Sequence, residues 1–98
     1  MNQSPETIRK EVLERASTII ERLATDSPAS GILTTAFKDS FIEAARASEL
    51  FAVASSAQDA TSALIAVFER LLMQLHVEDN VIAPMRQAFI LDLVRALE

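Results

Sequence analysis

A chain of 98 residues has room for one domain, read here as residues 1–98. The absence of cysteine excludes disulfides, zinc–thiolate sites and cysteine nucleophiles. A formal charge of -5, with no basic residue between Arg46 and Arg70, argues against a phosphate-binding surface, so no nucleic-acid partner is expected.

One glycine and three prolines exclude a turn-rich all-β chain. Abundant Ala, Leu, Glu and Arg point to an all-α fold. The aromatic residues are all Phe, which leaves no Trp or Tyr for stacking on bases or sugars. No apolar run approaches the roughly 20 residues that span a bilayer, and the first residues lack the basic-then-apolar layout of a signal peptide. A cytoplasmic protein with no membrane contact and no cofactor is the expectation.

The first predicted helix covers about residues 5–25. Ser4 can cap it, Pro5 suits the first helical position and Glu6 complements the positive helix end. Ile8, Val12, Ile19 and Leu23 recur at helical spacing, with Leu13, Ala16 and Ile20 widening the stripe. Arg9, Lys10, Glu14, Glu21 and Arg22 read as a solvated face. The residue before Pro28 is driven out of helical dihedrals, so the helix ends near Asp26. Ser27-Pro28 repeats the start signal for a second helix, which Gly31, Thr34 and Thr35 weaken.

Ser40-Phe41-Ile42-Glu43 has the pattern of a capping box, so a kink or fresh start is predicted near Asp39–Ser40, with helix to about Ala54. Phe41, Ala44, Ala45 and Leu50 are expected inward; the pattern does not decide Phe51 and Val53. Ser55 and Ser56 interrupt, and Ser56 with Asp59 marks a new start. That helix is predicted to about Val77, with Leu64, Phe68, Leu71 and Leu75 as its stripe. The last helix starts at Asp79 or at Pro84. Pro84 is the cleaner start, because proline deeper in a helix removes a hydrogen bond; Val81 and Ile82 would then be an apolar lead-in.

On a wheel of about 100° per residue, the last two helices carry an excess of apolar surface. Met85, Phe89, Ile90, Leu93, Val94, Ala96 and Leu97 cover about half of the final helix, and Leu91 lies on its far side. In the preceding helix Ile65 and Leu72 stand about a quarter turn from the stripe, and Met73 further round. A small bundle has few fully surrounded positions, so Ile65, Leu72, Phe89, Ile90, Leu91 and Val94 are the candidate interface. A homodimer is the first partner expected, and another protein the second.

The polar residues offer little chemistry. His76 is the lone histidine. In histidine phosphotransfer domains the phospho-acceptor is followed by Leu, Lys and Gly, whereas here Val77, Glu78, Asp79 and Asn80 follow. Glu69 shares a face with His76, but two ligands do not close a metal site. The serines fall where helix caps are needed, and Ser30 beside the only glycine is not a nucleophile elbow. Residues Glu49–Phe68 can be read as helix-turn-helix, but the would-be recognition helix offers Asp59 and no Arg or Lys to bases.

The expected fold is a compact antiparallel bundle of four main helices, the second open to a break, dimerising through the last two. The expected function is a small non-enzymatic protein–protein module, a regulator, adaptor or chaperone-like subunit of bacterial style. The alternatives are an apolar-ligand bundle with a cavity lined by Phe37, Phe41, Phe68 and Met85, and a helix-turn-helix regulator. No acid, base and nucleophile converge, so no enzyme is expected.

Overall fold

A computed structural model describes residues 4–26 and 33–97. The described residues form five helices and no strand, so the protein is all-α. The first helix, α1, spans Pro5–Asp26. Ser4 starts it: its Oγ accepts the Thr7 amide N–H (3.2 Å) and its carbonyl accepts that of Ile8 (3.0 Å). Val12, Ala16, Ile19 and Ile20 are buried, while Glu6, Lys10, Glu14, Arg15, Glu21 and Arg22 face solvent. Arg9 departs from the solvated face expected for it. Its Nη1 donates to the Ala54 carbonyl (2.7 Å) and ties α1 to a segment 45 residues away. The start signal at Ser27-Pro28 and Gly31 lies outside the described residues.

The second helix, α2, spans Thr35–Ala47 and is capped by Thr34, whose Oγ1 accepts the Phe37 amide N–H (3.1 Å). It runs unbroken through Asp39–Ser40. Phe37, Phe41 and Ala45 are buried at i, i+4 and i+8, and a break at Ser40 would throw that stripe out of phase. The interruption comes at Ser48, which is extended (φ -75°, ψ 123°). Its amide donates to the Ala45 carbonyl and its Oγ accepts the Phe51 amide, closing α2 and opening the short α3, Glu49–Ala52. This offset buries Phe51 and leaves Leu50 outside, the reverse of the inward placement expected for Leu50. Leu50 is nine positions beyond Phe41, half a turn away even in an unbroken helix.

The fourth helix, α4, spans Ala57–Gln74, and Ser56 Oγ accepts the Asp59 amide N–H (3.1 Å). Its buried residues are Ala60, Thr61, Ala63, Leu64, Val67, Phe68 and Leu72. Leu71, expected in the stripe, is half-buried, and Leu75 is exposed. The helix packs against α1, α2, α3 and the last helix, so it buries a wider arc than one stripe supplies. It stops short of Val77 because His76 takes a left-handed conformation (φ 55°), with its amide pointing back to the Met73 carbonyl.

The last helix, α5, spans Asp79–Ala96 with Pro84 inside it, not at its start. Ile82 packs against the core from the turn before Pro84, and Met85, Phe89 and Leu93 follow as the buried stripe. Tertiary burial of Ile82 therefore outweighs the single hydrogen bond that Pro84 removes. The Asn80 carbonyl, the acceptor left over, belongs to an exposed residue that water can reach.

Four phenylalanines hold the centre. Phe68 stacks on Phe89 with centroids 4.1 Å apart, and Phe41 meets both edge-on at 6.3 and 5.9 Å. Phe37 meets Phe68 edge-on at 5.7 Å. Edge-on contacts of this kind add about 0.5–1.5 kcal/mol each beyond burial. The one buried polar side chain among the described residues, Thr61, donates to the Ala57 carbonyl (2.7 Å). Among the described residues no buried side-chain polar atom lacks a partner.

Candidate interaction surface

The six residues read from the sequence as an interface separate into three environments. Leu72 and Phe89 are 0% exposed and belong to the chain's own core, so they present no surface to a partner. A wheel counts apolar circumference but not neighbouring helices, and α4 and α5 use that circumference against each other and against α1. Ile65 and Ile90 are half-buried. Leu91 (45% exposed) and Val94 (42%) remain on the outside.

Leu91 and Val94 sit on an outer α5 face that also carries Asn80, Ala83, Pro84 and Gln87, all exposed and none charged. The charged residues Asp79, Arg86, Asp92 and Arg95 fall to either side of it. The outer face of α1 is the opposite case, charged at nearly every turn. Arg86 approaches Glu69 of α4 at 3.7 Å, an exposed pair of the sort worth about 0–1 kcal/mol.

Two large apolar side chains on and just after α3 are more exposed than Leu91 or Val94. Leu50 is 68% exposed and Val53 76%. They border a groove along α4. One part, of about 310 Å³, is lined by Ala44, Ala47, Ala66, Val67, Leu71 and Arg70; the next, of about 300 Å³, by Val53, Asp59 and Ser62. Leu50 and Ala63 line both parts, so the groove is continuous. Sequence reading missed this surface, although the half-turn between Phe41 and Leu50 signals it. Met73, Leu75 and Val81 are further exposed apolar residues around the α4–α5 turn.

Two other clefts are polar. One lies between α1 and the end of α5, where Glu11, Glu14, Arg15 and Arg22 stand beside Ala96. The other lies between α1 and α2 and holds an ion pair between Lys38 and Glu21. Donating a hydrogen bond to the Glu21 carboxylate raises the Lys38 pKa above the usual lysine value.

His76 is exposed and serves as the turn residue after α4. No group of three or more metal-ligating side chains occurs among the described residues. The segment read as helix-turn-helix is α3, a turn and α4; α3 has four residues and Arg70 is the one cation on α4. Phe37, Phe41, Phe68 and Met85 are all buried in one cluster, with the rings of Phe37 and Phe41 each edge-on to that of Phe68. Among the described residues no helix is long and apolar enough to cross a membrane.

No family model, no curated protein and no solved structure matches the chain.

Proposed function

We propose that this protein is a non-enzymatic protein–protein interaction module that works as a homodimer, within a cytoplasmic setting. In this reading α1, α2, α4 and α5 form an antiparallel four-helix bundle, with α3 as the break in its second helix. The observation that supports it is the exposed apolar surface. Leu50, Val53, Met73, Leu75, Val81, Leu91 and Val94 all remain on the outside of a 98-residue chain whose core is already filled. They lie on α3, α4, α5 and their turns, while α1 carries the charge. Large apolar side chains left exposed in this number on a small protein are the usual mark of a partner site.

The test is the mass in solution. Light scattering on the purified chain should give about twice its 10.7 kDa. A mass that stays at one chain up to the highest soluble concentration removes self-association from the proposal.

A further inference from the structure

We infer that the α3–α4 groove is the surface on which a second copy of this chain docks, two-fold related, with the two α4 helices crossing antiparallel. The inference rests on the homodimer proposed above and names its surface. The patch supplies both halves of such a contact. Leu50 and Val53 project from it, and the groove beside them is floored by Ala44, Ala47, Ala63 and Ala66. Knob and hollow lie side by side on one face, the condition for a two-fold contact in which each copy meets the same patch of the other.

The charges along α4 fix the register. Asp59 lines the end of the groove near the start of α4, and Arg70 lines it further along. Both are exposed, and neither makes an ion pair within the chain among the described residues. They are eleven positions apart, three turns of helix or about 16 Å, and so share a face. A two-fold axis between Leu64 and Ile65 brings Asp59 of each copy opposite Arg70 of the other. The same axis sets the buried Ala63 opposite the exposed Ala66, and Ser62 opposite Val67, so the side chains nearest the axis on this face are short. A parallel pairing would set like charges against each other at both ends, at a cost that suppresses it.

The experiment is sedimentation or light scattering on the full chain and on five variants, with far-UV circular dichroism as the check on folding. Asp59→Lys and Arg70→Glu each place two like-charge pairs across the axis and should weaken the dimer about tenfold or more. Mixing these two variants restores both ion pairs in one heterodimer, and Asp59→Lys/Arg70→Glu restores them in a homodimer. Both should recover the original association. Leu50→Glu should dissociate the dimer without touching the charges, and Leu91→Glu/Val94→Glu should leave it intact. A wild-type chain that never dimerises overturns this inference together with the homodimer reading. A dimer that ignores the groove variants but is lost in Leu91→Glu/Val94→Glu overturns the inference alone. Loss in the single charge variants without recovery on mixing also overturns the antiparallel register.

Discussion

Two side chains do work that their residue types do not announce. His76 occupies the left-handed position just past α4 (φ 55°), where a β-carbon is crowded and glycine is the usual occupant. His76→Gly should therefore raise stability by about 1 kcal/mol, or about 4–8 °C in Tm for a domain of this size, measured by thermal unfolding. An unchanged or lowered Tm would mean that the side chain contributes contacts which offset the backbone cost. Arg9 is the second case. Its guanidinium holds the carbonyl of Ala54, a buried residue, and so fixes the turn between α3 and α4. Arg9→Met keeps much of the apolar stem but removes the donor, and should cost about 1–3 kcal/mol in urea denaturation. A loss indistinguishable from zero would show that water takes over the carbonyl.

At the scale of elements, local signals met tertiary packing at four places, and the outcome differed. Where a cap was also compatible with the buried stripe, it was used: Ser4 and Ser56 both accept amide hydrogen bonds at the starts of α1 and α4. Where it was not, it was overridden. The capping pattern at Ser40 lies inside α2 because Phe37, Phe41 and Ala45 need one continuous helix. Pro84 is likewise carried within α5 because Ile82 ahead of it packs against the core. A proline so placed should leave α5 weaker than its sequence could make it. Pro84→Ala should stabilise the protein by about 1–3 kcal/mol, read from the denaturation midpoint at unchanged slope. No gain would imply that α5 is already bent to suit the ring and that straightening it disturbs the packing of Met85.

For the whole molecule, the distribution of charge and apolar surface is uneven. The outer face of α1 is charged at nearly every turn, whereas that of α5 is uncharged and the α4 groove carries only the charges of Asp59 and Arg70, so association is expected to proceed through surfaces other than that of α1. The all-α class, the extent of α1 and most of its buried face, and the start of α4 were legible from composition, spacing and caps, because these depend on neighbours within a few residues. An excess of apolar residues was legible as well. Which of them would face outward was not. Leu72 and Phe89 looked available on a wheel and are fully buried, while Leu50 was expected inward and stands in solvent. A helical period states the angle of a side chain about its own axis and nothing about how many helices surround that axis. That number, large for α4, and the shift of phase introduced at Ser48, are set only when the chain packs on itself.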